Sequence, residues 1–182
     1  MNMTYIFIAV VLIVVIMGVI LGLIFAGRKR SNRLHDQFGT EYDRTVESMG
    51  NEKKAETELN ERQEYVKALD IRPLSVVERE RYQADWASVQ AKFVDEPGEA
   101  VVDADGLIME VMQLRAYPVS DFDQRAADVS VSYPALVSNY RAARAISLKN
   151  EKNQADTEEL RQAMIYYRSL FEELLGTEAV VV

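Results

Sequence analysis

Residues 5–26 read YIFIAVVLIVVIMGVILGLIFA, a run of 22 residues with no charge and no amide. As a helix rising about 1.5 Å per residue the run spans roughly 33 Å, enough to cross the hydrocarbon core of a bilayer. A chain with such a run at one end can bury it in lipid or lose it by cleavage. A cleaved export signal has a basic start, a shorter apolar core of about 7–15 residues and a small-residue cleavage site. Here the start is Met-Asn-Met-Thr, and Arg28, Lys29, Arg30 and Arg33 follow the run at once. Length and flanks therefore favour a retained transmembrane helix.

Lys and Arg beside a span stay on the cytoplasmic side. All four flanking cations lie C-terminal to the run, so the expected topology is N-terminus outside with residues 28–182 in the cytoplasm. The same four residues face lipid headgroups. Fixing topology is the plainer role for them, because almost any cytoplasmic anchor carries such a collar. Gly18, Gly22 and Ala26 fall on one helix face at four-residue spacing, which lets two backbones approach closely and offers a packing face for self-association. Gly and Ala are also simply frequent in membrane helices.

Beyond the anchor, about 150 residues remain, a normal size for one domain. The chain has no cysteine, which removes disulfides, thiol nucleophiles and thiolate metal sites. Its 21 Lys and Arg include the four of the collar, so 17 remain against 29 Asp and Glu. A domain that acidic is a poor partner for nucleic acid, whose binding rests on neutralised phosphates.

The rest of the chain reads as helices. Thr40 is placed to cap a helix over 41–49. A second, over 51–69, carries Ala55, Leu59, Arg62, Val66 and Leu69 at 3-4 spacing, with Glu58 and Arg62 as an i,i+4 pair. That segment reads either as one arm of a bundle or as a stalk. Pro73 breaks it, and Ser75-Val-Val-Glu78 forms the sequence of a capping box. The helix it opens, to about Val94, has the stripe Tyr82, Trp86, Val89 and Phe93, with Trp86 read as packing. Pro97-Gly98 turns a corner into the most apolar helix, over 99–117. Short and longer helices follow over 121–129 and 134–150. Asp156-Thr-Glu-Glu159 opens the last helix, over 157–175, which carries Leu160, Ala163, Tyr167, Leu170 and Leu174.

No segment alternates with period two between hairpin turns, so no sheet is expected. The fold class is all-α: an N-terminal transmembrane helix (1–27), a basic juxtamembrane segment (28–39), an antiparallel helical bundle (40–176) and a loose tail (177–182).

No catalytic constellation emerges, and the reading leans away from an enzyme. His35, the only histidine, reads as solvent-exposed. There is no phosphate loop and no nucleophile elbow. Asp103-Ala-Asp-Gly106 is rejected as a calcium loop, since Val101 and Met112 fall where ligands belong. Arg125, Arg141 and Arg144 lie near Tyr133 and Tyr140 and are a candidate anion or partner site. Pairing with Asp121, Asp123 and Asp128 is the simpler account of them. No cofactor or metal is expected.

Five segments, FGTEYDRTVE (38–47), ALDIRPLS (68–75), RYQADWASVQAKFVDEP (81–97), YPVSDFDQRAADVSV (117–131) and YRSLFEELL (167–175), resemble a family of bacterial proteins of unestablished function. The resemblance implies one N-terminal membrane helix followed by a helical domain, in a bacterial cell membrane. The expected function is that of a single-pass interaction or scaffold protein, with a protein partner or a second copy. The alternatives are a membrane-tethered enzyme or small-ligand-binding domain, and an exported helical domain.

Overall fold

The computed structural model describes Leu12, residues 16–18 and residues 28–176. The candidate span at 5–26, with Gly22 and Ala26, therefore lies almost wholly outside the described residues, as does the tail at 177–182. Leu12, Ile16, Met17 and Gly18 are helical and exposed. No helix among the described residues is long and apolar enough to cross a membrane.

Described residues form helices and no strand. The helices are α1 (28–38), α2 (Thr40–Met49), α3 (Glu52–Ala68), α4 (Val76–Lys92), α5 (Pro97–Leu114), α6 (Phe122–Ser132), α7 (Val137–Glu151) and α8 (Thr157–Gly176). They pack as two parts. In the bundle, α8 lies against α5 and α7, α4 covers α5, and α6 closes onto α7. In the arm, α1, α2 and α3 run up, down and up, with α2 paired to α3.

Local sequence sets the boundaries. Both capping boxes form: Ser75 Oγ accepts from the Glu78 N–H while the Glu78 carboxylate accepts from the Ser75 N–H, and Asp156 and Glu159 do the same for α8. Asn51 and Asp121 cap α3 and α6. Gly39 and Gly50 bracket α2 at φ 52° and 62°, where a side chain would be strained. Thr40 is helical and Gly39 takes the cap position, with no side-chain cap. Pro97 begins α5 two residues ahead of the expected start, its fixed φ and missing N–H suiting a first helical position. Pro134 instead lies in a turn, and α7 starts at Val137. The α5 end is tighter than expected: Ala116 turns left-handed at φ 70°, and the Tyr117 N–H reaches back to the Met112 carbonyl.

The bundle core is continuous from Leu74 through Trp86, Val101, Ile108, Val129, Tyr140 and Tyr167 to Leu175. Trp86 stacks on Phe171 with ring centroids 4.6 Å apart, in line with its reading as a packing residue. The stripe expected on α8 is buried as such, and α5, the most apolar helix, buries Val101, Ala104, Leu107, Ile108, Val111 and Met112. Arg115, 5% exposed, ties three chain segments together at one end of the bundle: it donates to the carbonyls of Arg72 and Leu174 and to the Tyr133 hydroxyl.

The arm has its own small core of Leu34, Phe38, Tyr42 and Leu59, with Val46 and Val131 against it. Residues 28–38 thus belong to the packed unit, since Leu34 and Phe38 are fully buried. The arm does not stand off as a stalk. Its α3 lies on α6 and its α2 touches α7.

Candidate functional site

Three arrangements of side chains stand out above the general packing. The first is a clasp between arm and bundle, centred on Glu41. This residue is 2% exposed and sits in the first turn of α2. Its Oε1 accepts from Arg141 on α7 at 2.7 Å and from Arg62 on α3 at 3.0 Å, with Arg44 at 3.6 Å. Arg62 also donates to Glu58 at 3.0 Å. A buried carboxylate costs several kcal/mol in lost hydration unless charged donors surround it, and here they do. Beside the clasp, Gln63 donates to Gln37, and Asp128 accepts from Gln124 at 2.8 Å. Asp128 is 1% exposed, and burial raises its pKa against the opposing hydrogen bond from Gln124 and the charge of Arg62.

The second arrangement is a polar centre inside the bundle, where α5, α6, α7 and α8 meet. Asp105 on α5 faces Arg144 on α7 at 3.4 Å. Arg125 on α6 donates to the Tyr140 hydroxyl at 3.2 Å and to the Val119 carbonyl at 2.7 Å. Both arginines lie over the Phe122 ring, at 5.6 and 5.9 Å from its centroid. Burial raises the Asp105 pKa, with Arg144 and then Arg125 opposing it. Burial likewise raises Tyr140 and pushes Tyr167 far above the ordinary tyrosine range. The Tyr167 hydroxyl lies beside the Asp105 carboxylate, whose charged form it favours against burial, and beside Ser147.

The third is a groove on the outside, between α4 and α8. One end is lined by Trp86, Phe93, Met164 and Ile165, and the other by Arg79, Gln83, Phe171 and Leu175. The two helices run antiparallel along it, since rising numbers on α4 meet falling numbers on α8. The second lobe encloses about 380 Å³. Trp86 Nε1 and Arg79 Nε are buried donors without a hydrogen-bond partner, and both residues line the groove. Ile165 on its wall is 42% exposed.

The candidate arginines are thus divided. Arg125 and Arg144 meet in the polar centre, whereas Arg141 belongs to the clasp. Their acid partners are Asp105 and Glu41 rather than the nearer Asp121, Asp123 and Asp128, of which Asp121 caps α6. Glu41 lies 100 residues from Arg141 in sequence, and only the fold brings them together. The rejected calcium-loop residues lie within α5, with Asp105 turned into the core. His35 is exposed and meets the Tyr42 ring edge-on at 5.3 Å, with Asp43 at 3.6 Å. Arg28, Lys29, Arg30 and Arg33 all lie on exposed positions of α1. Gly18 has open space around its α-carbon.

No group of three or more His, Asp or Glu residues able to hold a metal ion occurs among the described residues. No protein-family model, curated protein or solved structure matches the chain.

Proposed function

We propose that the chain is a single-pass membrane protein of the bacterial inner membrane whose helical domain, on the cytoplasmic side, docks a helix of a protein partner. The span and its orientation rest on the apolar run and the collar that follows it. The observation that carries the docking function is the α4–α8 groove itself, a trough lined by Trp86, Phe93, Met164, Phe171 and Leu175, with Ile165 exposed on its wall. Arg161 and Arg168 on the rim pair with Glu158 and Glu172 of their own helix, so the rim is charged but balanced. The chemistry points to an amphipathic helix that seats its apolar stripe in the groove.

The polar centre does not carry the small-ligand alternative. Asp105, Arg125 and Arg144 converge, but they are packed among Phe122, Tyr140 and Tyr167, and neither groove lobe reaches them.

Photocrosslinking from position 90 on α4, across the groove from Ile165, in the full chain in native membranes tests the docking function, with Ile165→Glu as the blocking variant. Ile165 is exposed enough to change without cost to the core. The expected result is a crosslinked protein whose recovery is lost in a glutamate variant of unchanged helix content, and whose crosslinked peptide has an amphipathic apolar stripe. Recovery by other crosslinking positions that is indifferent to Ile165→Glu removes the groove as the docking site.

A further inference from the structure

The arm brings a second set of cations back to the level where the chain leaves the proposed span. The described part of α1 rises from Arg28 to Phe38, about 15 Å at 1.5 Å per residue. After the turn at Gly39, α2 descends through 10 residues over the same distance. The connection at Gly50 and Asn51 therefore returns to the height of Arg28. Direct contacts agree with this: Ser31 Oγ donates to the Glu52 carboxylate at 3.1 Å, and Arg28, Ser31, Asn32, Glu52 and Lys53 line one surface recess. From there α3 climbs away again, until Gln63 donates to Gln37.

We propose that the α2–α3 turn is a second contact with the bilayer, in which Met49, Lys53 and Lys54 join the Arg28–Arg33 collar on an anionic lipid surface. This inference rests on the membrane-span reading of the proposed function. Met49 is 38% exposed, a long flexible apolar side chain at the tip of the turn, and Lys53 and Lys54 flank it in the open. An apolar side chain beside lysines is the composition that settles at a headgroup boundary. The acids at this end, Glu47, Glu52 and Glu56, keep their charge, with Glu52 and Glu56 accepting from the Tyr42 hydroxyl. Arg28, Lys29, Arg30, Arg33, Lys53 and Lys54 outnumber them, so the field presented downward is basic, although the domain as a whole is acidic. Anionic headgroups attract such a cluster only within about a Debye length of the surface. Held at two places, α1 and α3 keep the arm upright, which fixes the height and rotation of the bundle above the membrane.

The absence of cysteine makes single-site labelling clean. The full chain would be reconstituted into vesicles of neutral lipid and of neutral lipid mixed with an anionic one, with nitroxide-headgroup quencher on both leaflets. A dye at Met49→Cys would be compared with one at Tyr65→Cys, which is exposed and lies about 20 Å further along α3. The expected result is quenching at position 49 and none at 65, strongest in anionic vesicles and lost when Lys53→Glu and Lys54→Glu are added. Alkaline extraction of the same vesicles separates this inference from the span. A chain that resists extraction but shows no quenching at 49 overturns the turn contact and leaves the span standing. A chain washed off the vesicles overturns both.

Discussion

The bundle and the arm are both helical, yet they are held together by different chemistry. The bundle buries a large apolar core that runs through all five of its helices, with Trp86 stacked on Phe171 near its surface. The arm's cluster has only four buried apolar side chains, and it borrows Val131 from α6 to complete them. Across the joint to the bundle, that apolar contact is joined by one carboxylate, Glu41, which reaches Arg141 on α7 while also holding Arg62 of the arm. Apolar packing is forgiving of small movements, whereas a buried ion pair fails when its geometry does. The bundle is accordingly expected to be the stable body, and the arm the part that one substitution at Glu41 can release.

The largest effect should come from the bundle. Trp86→Ala removes a stacked indole and is expected to cost about 3–5 kcal/mol in chemical denaturation of the full chain. Trp86→Phe, which keeps a ring against Phe171, should restore most of that stability. In the arm, Glu41→Ala leaves Arg62 and Arg141 facing each other across a dry joint. A loss of about 3 kcal/mol is expected, confined to α1–α3 in hydrogen exchange, with α5 and α8 still protected. If α5 and α8 lose protection equally, the two parts are one cooperative unit.

A pH series sharpens the contrast. Burial raises the native pKa of Asp105 above its usual 3.8, so the folded bundle holds that proton more tightly than the unfolded chain does. Its effect on stability is therefore a loss as pH rises from about 3.8 through the raised native value. Asp105→Asn should remove that slope and make the bundle no less stable at neutral pH, read as denaturation midpoints across the range. Glu78 has the opposite sign. Arg72, and then the Ser75 N–H, hold it at about 2, so its contribution at the α4 start is present above 4.5 and is lost as pH falls to about 2. Helix-resolved hydrogen exchange at the α4 N-terminus should follow that window and be flat in Glu78→Gln. The smallest change is at the α5 end, where Ala116→Gly relieves a left-handed residue and should add about 1 kcal/mol in thermal or chemical denaturation.

What the sequence disclosed follows the range of the forces involved. Capping boxes at Ser75 and Asp156 act over three residues, and both are present in the structure. Stripes such as Leu160, Ala163, Tyr167, Leu170 and Leu174 are written along one helix, and they are buried as expected. Local pattern does not reach further. It placed Arg125, Arg141 and Arg144 together, whereas the fold sends Arg141 to Glu41 and the other two to the centre around Asp105. The only local hint was that α2 and α5 each bury a carboxylate among apolar neighbours, and an exposed helix face gives the same letters. Arg115 escaped for the same reason, since it donates to two backbone carbonyls, which have no sequence signature. The groove was invisible too: Trp86 and Phe93 read as core, and only the antiparallel approach of α4 and α8 leaves one side open.

Native-state hydrogen exchange on the membrane-reconstituted chain, with and without Glu41→Ala, tests the division into two parts most directly. The account predicts that amides of α2 and α3 open at lower free energy than those of α5 and α8, and that the substitution lowers only the first set. A single opening free energy shared by α2, α3, α5 and α8, lowered together by Glu41→Ala, would contradict it.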